Sequence, residues 1–261
     1  MDQQEIRQIY DRYIRRGADY PNFTRQELPG IVRLVPQVGD DQGFIAYTQL
    51  DEDNVDAAIQ AQIAYFEGLG VNFEWKLYDY DAPTGLKARL AQRGFEIGED
   101  EAILFFDLDA LPGQMRLPVQ ADVRRLQPGD PLDDILAIEN EVWGTDHSSL
   151  VQRLKRTLEE HSELISIYIA YVDNEPATTG WIEYYPGNPV AGLWGGSTRA
   201  AFRRKGLYKS LLAVRAQEAL QRDVSYLTVD ASPMSRPILE RLGFQLVAIS
   251  NPCTWKAKPE G

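Results

Sequence analysis

The order of strand-like and helix-like segments after residue 118 is the feature that most constrains the fold of this chain. Runs rich in β-branched and aromatic residues alternate there with runs whose apolar residues recur every three or four positions. The predicted order is β-α-α-β-β-β-α-β-α-β-β. Such an order is typical of a mixed sheet with helices on its faces, an α/β or α+β fold.

The predicted elements are bounded by turn and cap residues. Asp130 is predicted to cap the first helix of this half, Gly243 to end the last helix, and Pro252-Cys253 to form a hairpin turn. In chain order the predicted elements are a strand at 119–126, helices at 131–142 and 148–160, strands at 164–172, 177–185 and 190–198, a helix at 207–222, a strand at 226–230, a helix at 237–242, and strands at 244–250 and 254–258.

The first half of the chain weakly repeats this succession. A helix is predicted at 54–69, a strand at 73–80, a helix at 83–93 and a terminal hairpin at 96–108. The segments 86–96 and 238–245 both run from a helix into Gly-Phe, which favours a degenerate tandem duplication, although helices that end in this way are common and chance is the alternative. Pro112-Gly113 marks the boundary, so we predict domains at 1–112 and 118–261.

Charge and composition exclude several classes of protein. The net charge is −12, of which residues 1–117 carry −10, so a nucleic-acid or anionic-membrane partner is not expected. One cysteine and two histidines offer too few ligands for a structural zinc site, and no metal is predicted. The N-terminus lacks a signal-peptide pattern and no apolar run is long enough to span a membrane, so a cytoplasmic location is expected.

A basic segment reverses the sign of the charge locally. Residues 199–209 hold five basic residues and no acidic one, between a predicted strand and a predicted helix. The N–H groups at a helix start lack internal partners, and Gly206 lets a ligand approach the backbone closely. This arrangement favours a pyrophosphate, and the alternative is a solvated basic turn.

The run Arg203-x-x-Gly206-x-Tyr208, followed by a helix and later by Leu242-Gly243-Phe244, resembles the GNAT superfamily of acyl-CoA-dependent N-acetyltransferases. The resemblance covers about residues 118–258, and the first half resembles a second, degenerate copy of the same fold. It implies an α/β mixed-sheet GNAT-like fold in tandem, with acetyl-CoA as the cosubstrate.

The resemblance also implies which residues bind the cofactor. The strand that ends at Gly196-Ser197-Thr198 would separate from its neighbour and pair with the pantetheine arm of CoA. Backbone amides of the basic turn would bind the pyrophosphate. The residues assigned to cofactor binding are Gly196, Ser197, Thr198, Arg203, Arg204, Lys205, Gly206, Leu207, Tyr208, Lys209 and Ser232.

Three positions depart from the family pattern. Tyr208 stands where a second small residue belongs, Leu239 where many members have a tyrosine acid, and Ser232 where an asparagine often holds the CoA arm. Tyr208, Ser232 or water could replace the missing acid, the acid step could be unimportant, or acyl transfer could be lost. Of these, Tyr208 is assigned as a catalytic residue.

Glu183 is the first candidate for the general base, directly or through water. It alternates with Trp181 and Tyr185 on one face of a predicted strand, although that face could simply be solvated. His147 is a second candidate, whereas His161 is interpreted as a residue at a helix C-terminus. Cys253 lacks a partnered base and is not expected to be a nucleophile. The tryptophans that could line an acceptor groove or simply fill the core are Trp143, Trp181 and Trp194.

The sequence therefore predicts an N-acetyltransferase that moves an acetyl group to a primary amine of a small molecule or peptide by direct attack. The alternative is a CoA-binding or partner-binding module without catalysis. A third possibility, a nucleic-acid-binding basic turn, conflicts with the net charge. The first half is expected to bind no CoA, because the acidic run 51–54 precedes its helix, and it could shape a cleft for a cationic acceptor. A homodimer is possible.

Overall fold

The computed structural model describes residues 1–37 and 42–257. The helices are α1 (Gln3–Tyr10), α2 (Val55–Gly68), α3 (Leu86–Gln92), α4 (Asp133–Trp143), α5 (Ser148–Glu160), α6 (Leu207–Gln221) and α7 (Arg236–Arg241). The strands are β1 (Phe23–Leu28), β2 (Ile31–Pro36), β3 (Gly43–Thr48), β4 (Phe73–Tyr78), β5 (Glu96–Ile97), β6 (Glu101–Asp107), β7 (Asp122–Arg125), β8 (Ile165–Val172), β9 (Glu175–Tyr184), β10 (Val190–Thr198), β11 (Tyr226–Ala231) and β12 (Gln245–Trp255).

The chain forms two compact units. The first contains the described residues of Met1–Leu104, Ala231–Arg241 and Gln245–Gly261, and the second contains Phe105–Asp230 and Leu242–Phe244. This grouping differs from the sequence-based division into 1–112 and 118–261, because α7 and β12 pack with the N-terminal residues. That division stays a proposal about which segment carries which function.

The first unit is built on a mixed sheet with the strand order β1-β2-β3-β4-β12. Strands β3 and β4 are parallel, whereas the other neighbours in this unit are antiparallel. Helices α2 and α3 cover the sheet with their apolar faces, and the core contains the stacked rings of Phe66 and Phe73 at a centroid distance of 4.4 Å. Burial of these apolar side chains stabilises the unit.

The second unit has the strand order β11-β10-β9-β8-β7, with β10 and β11 parallel and the other pairs antiparallel. Helices α4 and α5 pack on one face through a core that includes Ile135, Leu154 and Trp181. Helix α6 contacts β8, β9 and β10, and Leu211 and Ala216 on this helix are fully buried. The mixed sheet with helices against it confirms the predicted fold class.

Two predictions about hairpins were wrong. Strand β12 runs without a break through Pro252 and Cys253, where a hairpin turn was predicted, and it pairs with β4 along residues 250–255. Lys258, the end of the second predicted strand, lies outside the described residues. The predicted terminal hairpin at 96–108 is also absent from the described residues, because β5 pairs with β12.

Local predictions also differ from the structure. Leu132, not Asp130, is the N-cap of α4, and the Asp130 carboxylate instead accepts a hydrogen bond from the N–H of Gln127 at 2.8 Å. No element was predicted before residue 54, where the structure has α1 and strands β1 to β3.

The two units contain the same irregularity at corresponding places. On β3, Ala46 is an extra residue between the pairs Tyr47↔Val32 and Ile45↔Arg33. On β10, Gly196 is an extra residue between the pairs Ser197↔Thr179 and Gly195↔Gly180. Each bulge lies on a strand with an antiparallel neighbour on one side and a parallel neighbour on the other, followed by a long helix. A β-bulge at the same place in two units is a specific backbone feature and not a random defect. It therefore supports the interpretation of the two units as structural repeats.

Candidate functional site

The bulge in β10 gives this strand one open edge. Gly195 and Gly196 have φ angles of +69° and +85°, which few residues other than glycine adopt. Pairing between β10 and β11 extends from Val190↔Tyr226 to Leu193↔Val229. In the described part of the chain, no pairing joins residues 194–198 to β11. The backbone groups on this edge of β10 are therefore placed to accept an extended ligand.

The basic segment forms a tight turn between β10 and α6. After a 3₁₀ turn at Ala200–Phe202, Arg204 and Gly206 adopt left-handed φ angles of +64° and +82°. Turns of this kind can gather several N–H groups around an anion. Gly206 is the N-cap of α6 with no side-chain cap, and no neighbouring atom lies within 4 Å of where its Cβ would be. The start of α6 is thus open to a ligand.

The five basic residues of this segment have different roles. Arg199 is held by the carboxylates of Glu141 at 2.6 Å and Glu175 at 2.8 Å, and Arg203 Nε donates to the carbonyl of Thr198 at 3.1 Å. Arg203 and the remaining three cations are all exposed and show no ion pair among the described residues, and the three whose side chains also show no hydrogen bond there are Arg204, Lys205 and Lys209. These three provide the positive charge around the start of α6.

Tyr208 connects the turn with the bulge. Its ring lies against Gly196, so that a Cβ added to Gly196 would stand 2.8 Å from Tyr208 Cε2. Burial raises the pKa of Tyr208, and the charge of Arg215 opposes this shift. The phenol therefore stays protonated at neutral pH beside the open edge of β10, where it could donate a proton.

Arg215 supports the bulge from the α6 side of the sheet. This residue is 2% exposed, and its Nη1 donates to the carbonyls of Trp181 on β9 and Trp194 on β10, both at 3.1 Å. Its Nε donates to Leu211 on the same helix at 3.1 Å. Burial lowers its pKa to about 10, so the side chain stays charged at neutral pH. Arg215 was not predicted as a site residue from the sequence, although its position four residues after Leu211 in an apolar stripe was a signal.

Glu183 lies on the opposite face of the sheet. It alternates with Trp181, which packs into the core under α4 and α5, and it is half-buried. Burial raises the pKa of Glu183, and the charge of Arg153 on α5 opposes this shift. Trp194 packs against the same core. Glu183 is thus available as a base in a partly desolvated place, but Trp181 is a core residue.

Glu139 is a second carboxylate on this side of the sheet, and it was not predicted as a site residue from the sequence. It lies on α4 and is 3% exposed. Its Oε2 accepts a hydrogen bond from Ser197 Oγ at 3.0 Å, and Ser197 Oγ in turn accepts from Trp143 Nε1 at 3.0 Å. Its position four residues after Ile135 places it on the apolar face of the helix, and this position was the sequence signal that the carboxylate is buried. The predicted cofactor residue Ser197 is therefore linked to α4 through its side chain.

The contacts of the other nucleophile and base candidates indicate structural roles. His147 precedes α5, and its Nδ1 lies 2.9 Å from the carbonyl of Thr145. His161 is the C-cap of α5, which agrees with its predicted position at a helix C-terminus. Cys253 is fully buried on β12, and burial raises its pKa to about 12. An unreactive thiol of this kind does not support nucleophilic catalysis.

Two positions from the family pattern lie in the first unit. The Oγ of Ser232 accepts from the N–H of Ser235 at 3.3 Å, just before α7. Leu239 on α7 is fully buried, so this position supplies packing and no acid. The role of Ser232 toward the cofactor stays a prediction.

The first unit repeats the bulge but fills the corresponding edge from within. Beyond the last β3–β4 pair, Ile45↔Trp75, the carbonyl of Ala46 accepts from Arg15 Nε at 3.1 Å. Arg15 Nη2 contacts both carboxylate oxygens of Asp81 at 2.7 and 3.0 Å, and Asp81 also accepts from the N–H of Tyr78 at 3.0 Å. The carbonyl of Ala46 on β3 and the N–H of Tyr78 on β4 therefore already have partners.

The start of α2 is equally unsuited to an anion. The carboxylate of Asp51 accepts from the N–H groups of Asp53 and Asn54, both at 3.0 Å. A carboxylate on these groups takes the place that a phosphate would need and repels it. The first unit thus has the topology without the anion-binding turn.

The structure offers no metal centre in its described ranges, 1–37 and 42–257, because no three His, Cys, Asp or Glu side chains there are grouped as ligands. None of the helices it describes is both long and apolar enough to cross a membrane.

Comparisons with known proteins agree with this geometry. The sequence model of the acetyltransferase (GNAT) family matches residues 132–244, from the residue before α4 to the residue before β12. No curated protein matches the chain.

Three solved structures share the fold over nearly the whole chain. A GCN5-related N-acetyltransferase from Kribbella flavida is 15% identical, with 92% of this chain and 91% of that chain covered and a TM-score of 0.65. A conserved protein of unknown function from Staphylococcus epidermidis is 12% identical, with coverages of 92% and 96% and a TM-score of 0.61. A tandem GNAT protein from the clavulanic acid biosynthesis pathway is 14% identical, with coverages of 94% and 86% and a TM-score of 0.55. The chain therefore has a tandem GNAT fold.

Proposed function

We propose that the chain is an acetyl-CoA-dependent N-acetyltransferase that acetylates a primary amine, and the match of residues 132–244 to the acetyltransferase (GNAT) family model supports this proposal. The observation that carries this proposal is the open start of α6 beside the unpaired edge of β10. A pyrophosphate needs several N–H donors with positive charge around them, and a peptide-like arm needs a free strand edge. Both are present within one unit.

The residues of this unit suit acetyl-CoA in chemical character. The backbone of Gly196, Ser197 and Thr198 would pair with the pantetheine arm, and the amides from Arg204 to Lys209 would bind the pyrophosphate. The exposed side chains of Arg204, Lys205 and Lys209 would add charge. When bound, acetyl-CoA supplies a thioester carbonyl that an amine can attack.

The proposed proton transfers use groups on both sides of the bulge. Glu183, directly or through water, would remove the proton of the attacking amine, since burial gives its carboxylate a more basic character. Tyr208 would donate a proton to the leaving thiolate, since its ring lies at Gly196 and its phenol is protonated. The acceptor is a small molecule or a peptide with a primary amine. A homodimer and a cytoplasmic location stay predictions.

The alternative is a module that binds acyl-CoA or a partner without catalysis. It is favoured by the buried Leu239 at the position of the usual acid. Glu183→Gln separates the two functions, because an enzyme would lose turnover while a binding module would keep its affinity for acetyl-CoA.

The test is isothermal titration of acetyl-CoA into the wild type and Gly206→Glu. A carboxylate at Gly206 would repel the pyrophosphate, so we expect binding to be lost. Gly187→Glu is the matched control, because Gly187 also has a left-handed φ of +67° and no neighbour within 4 Å of its Cβ position. No acetyl-CoA binding to the wild type, or equal loss in both variants, would overturn the proposal. Release of free CoA across a panel of amines would then establish turnover.

A further inference from the structure

The carboxylate of Glu139 is buried with one oxygen left without a partner. Its Oε2 accepts from Ser197, whereas Oε1 is buried and has no hydrogen-bond partner among residues 1–37 and 42–257. Glu139 is the one charged side chain among the buried residues of α4. Burial of a carboxylate oxygen without a hydrogen-bond donor costs free energy of folding. A bound ligand could supply the donor that the described residues do not supply.

The surroundings of Glu139 favour a cationic partner. Burial raises the pKa of Glu139, and the Ser197 hydroxyl, the His147 charge and the Trp143 indole N–H oppose this shift. The net pKa shift is upward, so these groups do not fully compensate the buried charge, and His147 Nδ1 already lies 2.9 Å from the carbonyl of Thr145. A protonated amine would bring both the missing donor and the compensating charge.

Glu139 also lies beside the proposed cofactor edge. Its partner Ser197 directly follows the bulge residue Gly196 on β10, where the thioester end of a bound pantetheine arm would run. Trp143, which also hydrogen bonds to Ser197, is 52% exposed at the end of α4. The indole therefore gives this group a solvent-facing aromatic side.

From this juxtaposition we propose that entry of the acceptor opens access to the buried carboxylate of Glu139, which then binds the ammonium group, with Trp143 as the wall for a flat, apolar acceptor body. The acceptor is then a primary arylalkylamine or a similar cation, because an indole face attracts both apolar surface and positive charge. This inference rests on the proposed acetyl transfer and adds the residue and the substrate class.

A purely structural role for Glu139 makes different predictions. If Glu139 only positions Ser197, then Glu139→Gln, which keeps the shape and a hydrogen-bonding oxygen, would leave amine binding intact. If Glu139 binds an ammonium group, loss of its charge weakens cationic ligands and leaves neutral ligands of the same shape unaffected.

The experiment is a ligand-detected NMR titration with benzylamine and with benzyl alcohol, its neutral counterpart, on the full chain without acetyl-CoA. We expect wild type to bind benzylamine more tightly than benzyl alcohol, and Glu139→Gln to weaken benzylamine about tenfold or more. Glu160→Gln is the matched control, because Glu160 is an exposed carboxylate on the neighbouring helix α5. This control should bind benzylamine like the wild type.

A second variant keeps the test decisive if Glu139→Gln fails to fold. Trp143 is largely exposed, so Trp143→Ala should fold and lose benzylamine affinity, whereas Trp143→Phe should retain much of it. Wild type that does not bind benzylamine, or variants that bind it equally well, would overturn the inference. Because no acetyl-CoA is present, these outcomes are independent of whether acetyl transfer occurs. Charge-dependent amine binding without turnover would instead contradict the proposed function alone.

Discussion

The ring of Tyr208 lies against Gly196, and this contact joins the basic turn to the bulge of β10. A Cβ at Gly196 would stand 2.8 Å from Tyr208 Cε2, and the residue has a φ of +85°. Both facts require glycine, because an added methyl group meets the ring and a left-handed conformation strains other residues.

We expect Gly196→Ala to lower the free energy of unfolding by about 1–2 kcal/mol and to weaken acetyl-CoA binding. Chemical denaturation and isothermal titration measure the two effects. Gly187→Ala is the control, since Gly187 has a similar φ of +67° but open space around it. Equal losses in both variants would show that the contact with Tyr208 adds nothing.

Arg215 is predicted to hold β9 and β10 together beneath the bulge. Arg215→Met removes the donors to the carbonyls of Trp181 and Trp194, and buried acceptors without donors cost about 1–3 kcal/mol each. We expect a loss of about 2 kcal/mol or more by denaturant titration, with weaker acetyl-CoA binding. Lys155→Met on α5, an exposed position, should change stability by less than about 0.5 kcal/mol. A stable Arg215→Met protein with normal binding would refute this role.

The sequence predicted the parts of the fold that depend on local pattern. Helix α5 and strand β10 have their predicted bounds, because their periodicity and their flanking turns agree. Strand β12 was divided at Pro252 because proline usually interrupts a sheet, but residues 250–255 pair with β4, which is distant in the sequence. Such pairings depend on tertiary contacts that a local pattern does not contain.

Only part of the candidate site could be predicted from the sequence. The turn from Arg203 to Lys209 was visible because its charge and Gly206 lie within one short segment. Glu139 and Arg215 were not predicted because each is a single charged residue in an apolar helical stripe. The role of each depends on hydrogen-bond partners on the strands, which are distant in the sequence. The edge filled by Arg15 and Asp81 likewise brings together residues 66 positions apart.

Glu183 is expected to set the acid limb of the pH–rate profile. A base must be ionised to act, and burial raises the pKa of Glu183 above its ordinary value of 4.5. The rate of acetyl transfer should therefore fall as the pH is lowered through a value above 4.5, and Glu183→Gln should be slow with no such limb. CoA release measured from pH 4 to 9 tests this.

The control for this profile is Glu163→Gln, because Glu163 is an exposed carboxylate in the same unit. It should keep both the rate and the shape of the wild-type profile. An unchanged acid limb in Glu183→Gln would assign the base to another group.

The ion pair of Arg15 and Asp81 is predicted to stabilise the first unit only as a pair. Both side chains are 1% exposed. Removal of Arg15 leaves the buried carboxylate of Asp81 without its cation, at a cost of about 3–5 kcal/mol, and removal of Asp81 leaves the buried Arg15 with Asp11 at 3.1 Å as its remaining carboxylate. We expect Arg15→Met and Asp81→Asn each to destabilise the protein strongly, and the double variant to lose less than the sum. A double-mutant cycle by urea denaturation measures this coupling, and additive losses would contradict it. Because this pair fills the edge of β3, the wild type should bind one acetyl-CoA per chain.

Cys253 is predicted to be unreactive in the folded protein. It is fully buried on β12, and burial raises the pKa of its thiol to about 12, so the neutral thiol dominates even at pH 9. Since the thiolate is the reactive form, a thiol reagent at pH 8 should modify no cysteine in the native chain and one in urea. Because labelling of the native chain then requires opening of β12, its rate should rise in Asp81→Asn, which destabilises the same unit. Fast labelling of the native wild type would show instead that the β4–β12 pairing around Cys253 opens readily.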